Sequence, residues 1–435
     1  MIDLYTIFLG LSFALIGCGV IYFLLKRYEF TIILVAISPF FFQFFFSNQV
    51  SYDDLSSKTG MGGAIRAGVL ALVGITGIIK YLSYAIHDRG KLNFNIILFF
   101  LFISLAFSSV TYSVDKSNTI MRASFLFTIF AALLGGSSWL DDENNFYITL
   151  ELLYRVMAGL IFIHLLSLAK PSRSIWWQQP RFIGFSNHPQ QLGAFFMVCY
   201  PIILWKISVS ESRQKWIAYI FLFIAVILHL ITTTRSPMVA AVAGILVLLI
   251  LQRKFLQIIL FGVFTVLAFY LMLQLNPEGL KRTESSKMTD LTGREEYWHG
   301  GLIMLSQKPF LGYGYAADGK IFDRQRLFYF GEHLGAPVSS QPLHNGYLST
   351  LVGLGVIGLL LWLITLTYPF YTYASFKDFP AKPFLLSILV MILVTNFSDQ
   401  NLTGYATYGD TFFWVAWLLA SKTHEYAKQT KLSIN

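Results

Sequence analysis

Long apolar runs, separated by short polar connections, make up most of this 435-residue chain. A helix needs about 20 mostly apolar residues to cross the hydrocarbon core of a bilayer. The pattern predicts about thirteen spans, at 4–25, 30–47, 68–87, 93–111, 119–139, 146–169, 192–209, 216–233, 237–252, 255–275, 344–370, 382–397 and 410–421. We therefore expect an all-α polytopic membrane protein of about 12–13 transmembrane helices, with 1–435 forming a single integral-membrane domain.

One polar stretch, 276–343, interrupts this pattern. It is rich in charged and aromatic residues, and it is too long for a simple turn and too short for a domain with a large core. Helical spacing of apolar positions after Arg294 predicts a short helix that ends near Pro309. The stretch leads directly into a span that begins with His344. We interpret 276–343 as a loop with short helices that forms one wall of a membrane-embedded site.

Basic residues in the short loops predict the orientation of the chain. Alternate loops carry most of the lysines and arginines, for example Lys26 with Arg27 and Arg253 with Lys254. Assigning these loops to the cytoplasm places the N-terminus and 276–343 outside and the C-terminus inside. The run 4–25 has no basic segment before it and no small-residue cleavage site after it, so it is expected to be a span rather than a signal peptide.

Composition and charge argue against a soluble domain, a nucleic-acid partner and a metal site. Charged residues make up 13% of the chain and hydrophobic residues 55%, whereas soluble domains carry about 25% charged residues. The net charge of +9 is spread over many loops without a continuous basic face, which argues against nucleic acid as a partner. Cys18 and Cys199 lie in apolar runs, and no histidine has ligand spacing with an acidic or cysteine cluster. Neither a metal nor another cofactor is expected.

Several cations nevertheless fall on the side expected to be outside, against the orientation rule. Arg122, Arg181, Arg235 and Arg294 all lie at or near the ends of predicted helices. An arginine fork matches phosphate oxygens in a bidentate manner. Cations fixed at the depth of the lipid headgroups therefore predict an anionic ligand, of which a lipid diphosphate is the obvious candidate.

Each arginine also has a plainer interpretation. Arg181, in a loop that contains Gly184, is either a phosphate ligand or part of an interfacial loop beside Trp176 and Trp177. Arg235, in a tight threonine-rich turn, either binds the ligand or extends toward the headgroups. Arg294 opens a helix that either lies on the membrane surface or also points its first residue at a ligand.

His344 is the candidate general base. The pKa of histidine lies near the working pH, so a neutral imidazole can take a proton from a hydroxyl nucleophile. Neighbouring cations would lower this pKa and favour the neutral form. The alternative is a helix cap or a solvated residue. Asn345 is the neighbouring polar group, and Glu151 with Arg155 is expected to be a mutually neutralising pair at helical spacing.

Six features between about 110 and 365 resemble, in order and spacing, the O-antigen ligase/polymerase superfamily of bacterial membrane glycosyltransferases. They are Tyr112-Ser113-Val114-Asp115 with Arg122, Arg181 to Gly193, Thr234-Arg235-Ser236, Gly293-Arg294 with Trp298, Lys308-Pro309-Phe310-Leu311-Gly312-Tyr313-Gly314, and His344-Asn345-Gly346-Tyr347-Leu348 followed by Gly355 and Gly358. The stretch from Gly293 to Gly314 looks most like exopolysaccharide polymerases. The extra first span departs from the twelve-span layout usual in the family.

The resemblance implies metal-independent, inverting transfer of a glycan from undecaprenyl diphosphate to a hydroxyl. His344 would be the catalytic histidine, Arg181, Arg235 and Arg294 would bind the diphosphate, and Asn345, Arg122 and Tyr347 would support the site. The implied location is the bacterial cytoplasmic (inner) membrane, with the active site on the extracytoplasmic face.

Three functional interpretations are open, of which the first two differ in the acceptor. Polymerisation onto an acceptor glycan is preferred, with a polysaccharide chain-length regulator as a candidate partner. An O-antigen ligase would instead transfer the glycan to lipid A–core. A flippase or transporter of lipid-linked oligosaccharides is the alternative from another class, but the chain lacks the two repeated halves that transporters of this kind show.

Overall fold

The computed structural model describes residues 18–46, 61–88, 93–169, 181–186, 188–275, 294–320, 343–375, 379–400, 402 and 407–434. Helices are the regular structure in these ranges, which contain no strand. Seven of the described helices are long and apolar enough to cross a membrane, and four shorter apolar helices accompany them. The expectation of an all-α polytopic membrane protein is confirmed.

The described helices follow one another along the chain in the order given next. They are α1 (Tyr28–Phe46), α2 (Met61–Asp88), α3 (Phe94–Ser108), α4 (Lys116–Trp139), α5 (Glu143–Leu166), α6 (Pro189–Val209), α7 (Ser212–Thr232), α8 (Arg235–Leu251), α9 (Phe255–Leu275), α10 (Arg294–Gln307), α11 (Gly346–Ser375), α12 (Lys382–Thr395) and α13 (Tyr408–Ile434). Residues 18–26 are also helical, and the rest of the predicted span 4–25 lies outside the described residues.

The last helix differs most from its prediction. The pattern predicts a short span at 410–421, whereas α13 has 27 residues and is buried from Tyr408 to Thr423. Several of its polar side chains are hydrogen-bonded inside the bundle, where the indole of Trp414 donates to Asp410 (2.9 Å) and that of Trp417 to the carbonyl of Thr365 (2.7 Å). These buried polar residues interrupt the apolar run, and the sequence pattern consequently underestimates the length of this central helix.

Two sets of contacts define the two ends of the bundle. At one end, the Asn118 amide donates to the carbonyl of Ala316 (2.6 Å), which ties the start of α4 to the segment after α10. At the other end, Lys422 Nζ pairs with Asp141 Oδ1 at 2.6 Å. The candidate arginines and His344 all belong to the first end, which we call the site end.

The predicted loop 276–343 is described at 294–320 and at Leu343. The helix expected after Arg294 is present as α10, and it ends one residue before Lys308. The residues after it dock on a break in α11 at Gly355, where φ is +67°. Tyr313 N donates to the carbonyl of Val352 (3.0 Å), and Val356 N donates to that of Pro309 (2.8 Å).

Glycines make this docking feasible. A side chain on Gly355 would overlap the carbonyl of Phe310, and one on Gly312 would overlap that of Val352. The motifs around these glycines therefore bring two backbones into direct hydrogen-bonding contact. Gly355 therefore allows a break within α11, and its role is not close packing between two continuous helices.

The pair Glu151 and Arg155 is confirmed, with Arg155 Nε 3.0 Å from Glu151 Oε1. The structure adds a third member, because Lys206 Nζ on α6 lies 2.7 Å from the other carboxylate oxygen. Two cations around one carboxylate satisfy its charge within the bundle.

Candidate functional site

The turn after α12, residues 396–400, is the meeting point of the site end. The backbone N–H of Gly346, at the start of α11, lies 2.9 Å from the carbonyl of Asn396 and 3.1 Å from that of Asp399. The Arg294 guanidinium, at the start of α10, donates to the carbonyl of Ser398. This turn, which we call the 396–400 turn, thus contacts the starts of two helices that carry predicted site residues.

The α7–α8 connection reaches the same turn. The hydroxyls of Ser236 and Ser398 are hydrogen-bonded, and Ser236 directly follows Arg235, the first residue of α8. Arg235 is therefore held next to a residue that contacts the 396–400 turn. The turn that precedes α8 is tight, because Thr233 ends α7 with a left-handed φ of +50°.

Arg181 is joined to this connection. Its Nε donates to the hydroxyl of Thr233 (3.2 Å) and its Nη2 to the carbonyl of Thr233 (3.3 Å). The side chain is 4% exposed, and Phe182 N donates to the carbonyl of Ile231 (3.3 Å). Arg181 and Arg235, which are far apart in sequence, are thus brought to the same short segment.

The loop that carries Arg181 is fixed by a histidine from the bundle. The ring of His164 accepts a hydrogen bond from Phe185 N at 3.3 Å. A side chain on Gly184, where φ is +55°, would overlap this ring. The glycine therefore allows the backbone of this loop to approach His164 closely.

His344 lies one residue after Leu343, which contacts α10, and two residues before Gly346, which contacts the 396–400 turn. Its φ of +49° is unusual for a residue other than glycine. Burial, and then the positive charge of Arg294, lower the pKa of His344 to about 4. The imidazole is therefore neutral at physiological pH, as required of a group that accepts a proton.

Trp298 on α10 holds the residue that precedes His344. Its indole N–H donates to the carbonyl of Leu343 at 3.0 Å. Leu343 belongs to a small apolar cluster with Met304, Tyr313 and Leu348, all of them buried. The residue before His344 is thus packed between α10 and α11.

The supporting residues have structural contacts. Asn345 caps α11, since its side-chain oxygen accepts from the backbone N–H groups of Tyr347 and Leu348, both at 3.0 Å. The hydroxyl of Tyr347 donates to the carbonyl of Leu393 (2.9 Å), which ties α11 to α12. These bonds place Asn345 and Tyr347 in the scaffold that orients the start of α11.

Arg122 lies on α4 at the site end. Its Nε donates to the side-chain oxygen of Asn118 (3.2 Å), and Asn118 in turn contacts the segment after α10. The same motif holds this segment through Val114 N, which donates to the carbonyl of Tyr313 at 3.0 Å. The structure thus links Arg122, through Asn118, to the segment after α10. By contrast, Arg294 and Ser236 contact the 396–400 turn directly.

The site end also contains polar residues that the motifs did not indicate. Asp399 is close to Arg294 and accepts a hydrogen bond from Gln190 at the start of α6. Burial raises the pKa of Asp399 despite these partners. Asp318 and Gln400 are hydrogen-bonded to each other at 2.5 Å. The run Asn-Phe-Ser-Asp-Gln at 396–400, directly after an apolar span, was the one signal in the sequence for this group.

Backbone strain is concentrated at this end. Among the described residues, those other than glycine with positive φ are Thr233, Arg253, Ala316 and His344, and all but Arg253 belong to the site end. Such conformations cost about 1–3 kcal/mol each and persist where surrounding contacts enforce them. The surrounding contacts at the site end therefore hold Thr233, Ala316 and His344 in conformations that are locally unfavourable.

The arrangement combines a neutral imidazole with the nearby guanidinium group of Arg294. Arg181 and Arg235 lie on segments that are linked to the same turn. Arginine charges can stabilise negative charge that develops on a phosphate leaving group. The imidazole can accept the proton that an attacking hydroxyl loses. No cluster of three or more potential metal ligands occurs in the described ranges.

Two comparisons with known proteins give related matches. The model of a family described as O-Antigen ligase matches residues 220–363, an interval that includes Arg235, Arg294 and His344. A protein of Rickettsia typhi (strain ATCC VR-144 / Wilmington), named "Putative polysaccharide ligase", is 25% identical over 187 residues. That alignment covers 42% of this chain and 40% of the relative, so the chain spans less than half the length of the relative it matches.

Proposed function

We propose that this chain, which belongs to the O-antigen ligase/polymerase superfamily as its motifs predict, transfers a glycan from undecaprenyl diphosphate to a sugar hydroxyl. The observation that carries the proposal is the convergence on the 396–400 turn. Arg294 contacts this turn and lowers the pKa of His344, while Ser236 brings the segment of Arg235 and Arg181 to the same turn.

The proposed reaction is a single displacement. The acceptor hydroxyl oxygen attacks the anomeric carbon of the donor glycan, and the bond between that carbon and the diphosphate oxygen breaks with inversion. The bonding electron pair leaves with the lipid diphosphate, where arginine charges stabilise it. The proton of the hydroxyl passes to the neutral imidazole of His344. No covalent enzyme intermediate is needed.

We favour an acceptor that is itself a growing glycan, which makes the protein a polysaccharide polymerase. The second candidate is a ligase that uses lipid A–core, and it is supported by the names of both matches. The two functions share a donor and a site, and they differ in the acceptor alone.

Reconstitution of the purified protein with lipid-linked repeat units separates the candidates. Chain growth on the repeats alone, measured by gel electrophoresis and mass spectrometry, supports the polymerase. Product that forms only after lipid A–core is added supports the ligase. Intact donor under both conditions, with protein that remains folded, would contradict glycan transfer from this donor.

Replacing the proposed base tests the chemistry directly. His344→Ala should reduce turnover at least about a hundredfold, in the range attributed to general base catalysis. Binding of the lipid diphosphate should survive, because the arginines remain. His299→Ala is the matched control, since His299 is an exposed residue of the neighbouring helix α10. A fully active His344→Ala protein would remove the assignment.

A further inference from the structure

Asp318 is a buried carboxylate on the segment that follows α10, and it is 1% exposed. Its Oδ2 accepts two hydrogen bonds, from Leu343 N at 3.1 Å and from Gln400 Nε2 at 2.5 Å. Its Oδ1 is buried and has no hydrogen-bond partner among the described residues. A carboxylate withdrawn from water at such cost requires an explanation.

The carboxylate is held in a fixed position. The segment from Gly312 to Asp318 is buried throughout. Its backbone is bonded on two sides, since Gly314 N donates to the carbonyl of Gly353 (2.8 Å) and Thr119 Oγ1 donates to that of Tyr315 (2.8 Å). Asp318 is therefore anchored to both α4 and α11.

The two groups that donate to Asp318 belong to two different segments of the candidate site. Leu343 directly precedes His344, and Gln400 ends the 396–400 turn that receives Arg294. One carboxylate oxygen consequently joins the residue before the imidazole to the turn that binds the guanidinium. This link spans segments 25 and 82 residues away from Asp318 in sequence.

We propose that Asp318 is a positioning residue, which holds the His344 turn against the 396–400 turn so that the imidazole stays beside Arg294. The inference rests on the proposed function, in which His344 is the base. Asp318 acts through Leu343 and Gln400 and does not touch the reacting groups in this role.

The conformation of His344 explains why such a clamp is needed. A left-handed φ of +49° is unfavourable for histidine, so the turn relaxes unless neighbouring bonds enforce it. The bond to Leu343 N restrains the peptide immediately before this strained residue. Loss of the carboxylate should let the turn relax and expose the imidazole to water.

The test replaces the carboxylate with an isosteric amide. Asp318→Asn retains the shape but cannot hold both donors on a charged oxygen. Asp115→Asn is the matched control, because Asp115 is also a buried aspartate and pairs with Lys320 of the same segment. Asparagine at this position remains an efficient helix cap. Both proteins are studied as the full chain in lipid nanodiscs.

The direct readout is the titration of His344, followed by solid-state NMR of histidine-labelled protein and assigned by the signal lost in His344→Gln. In the parent protein the midpoint should lie near the pKa of about 4 set by burial and Arg294. In Asp318→Asn the midpoint should rise by about one pH unit or more, toward the usual 6.5 of an exposed histidine. Asp115→Asn should leave it unchanged.

Turnover supplies the second readout. Asp318→Asn should lower kcat at least about tenfold, with KM for the lipid-linked donor changed by less than about twofold, because base positioning affects the chemical step. A folded Asp318→Asn protein with an unchanged His344 titration would overturn the inference, whatever its activity. An unchanged kcat would overturn it as well.

A second variant keeps the inference testable if Asp318→Asn does not fold. Gln400→Met removes one donor and leaves the carboxylate, and it should shift the His344 titration in the same direction by a smaller amount. If Asp318→Asn does not fold, an unshifted titration in Gln400→Met overturns the inference. The titration also separates the two proposals, since it can shift as expected even if the parent protein transfers no glycan.

Discussion

At the scale of single residues, burial changes the pKa of a side chain from its ordinary value. Histidine is ordinarily half-protonated near pH 6.5, and here burial and Arg294 lower the pKa of His344 to about 4. Since the charged form is disfavoured, the imidazole stays neutral across the physiological range. The sequence predicted the direction from neighbouring cations, but burial is the larger cause.

The first residue-scale prediction concerns pH. A base must be unprotonated, so kcat/KM should be flat from about pH 6 to 8 and should fall as the pH drops through the pKa of about 4. Arg294→Gln removes a charge that lowers this pKa, so the acid limb should move to higher pH. The pH–rate profile of the reconstituted protein is the measurement. An acid limb that stays in place in Arg294→Gln would show that Arg294 does not act on the base.

The second concerns the arginines. Arg181→Ala and Arg235→Ala should each weaken binding of the lipid diphosphate and lower kcat/KM by about 10–100-fold, because charge-assisted contacts are each worth about 1.5–3 kcal/mol. Binding is measured by titration with a fluorescent lipid diphosphate. Arg213→Ala is the control, because Arg213 is exposed near the start of α7 at the opposite end. Equal affinities in all three variants would contradict the assignment.

At the scale of elements, the break in α11 is the feature that builds the site wall. A continuous helix has no backbone N–H or carbonyl groups available in its middle. The break at Gly355 supplies them to the segment around Tyr313, and the small core of Met304, Leu343 and Leu348 then covers the junction. The glycine and aromatic motifs are thereby explained as docking elements between distant parts of the chain.

Gly355→Ala tests this docking. The substitution combines overlap of the Phe310 carbonyl with a backbone conformation, φ +67° and ψ −170°, that is essentially restricted to glycine. The conformational part alone costs about 1–3 kcal/mol. We expect a lower midpoint of thermal unfolding in detergent and a loss of activity. Gly159→Ala is the control, because a side chain there meets nothing within 4 Å. An unchanged midpoint and activity in Gly355→Ala would show that the wall does not depend on the break.

At the scale of the whole molecule, the bundle presents two chemically different ends. The site end gathers Arg181, Arg235, Arg294 and His344, and the opposite end contains Lys422 and Asp141. We propose that the site end faces away from the cytoplasm, as the distribution of basic loop residues predicts. A donor carried by a lipid would then meet the site at the outer headgroup layer.

Cysteine labelling tests the orientation. In a Cys18→Ser background, which leaves only the buried Cys199, Lys308→Cys should react with an impermeant maleimide added to spheroplasts. Lys254→Cys should react only in inside-out vesicles. Both residues are exposed, so the comparison depends on sidedness and not on burial. Labelling with the opposite pattern would place the site in the cytoplasm and would contradict the proposed substrate.

The apolar pattern alone determined the class of fold and the approximate bounds of its helices, because a membrane requires long apolar runs with internally paired backbones. The motifs also contained Arg181, Arg235, Arg294 and His344. Only the tertiary structure decided that Arg294 contacts the 396–400 turn and that the segments carrying the other three residues are linked to it. It also decided that Asp318 and Asp399 lie at the same end. Hydrogen bonds between segments 82 or 104 residues apart leave no periodic trace in the sequence, since they depend on how whole helices pack.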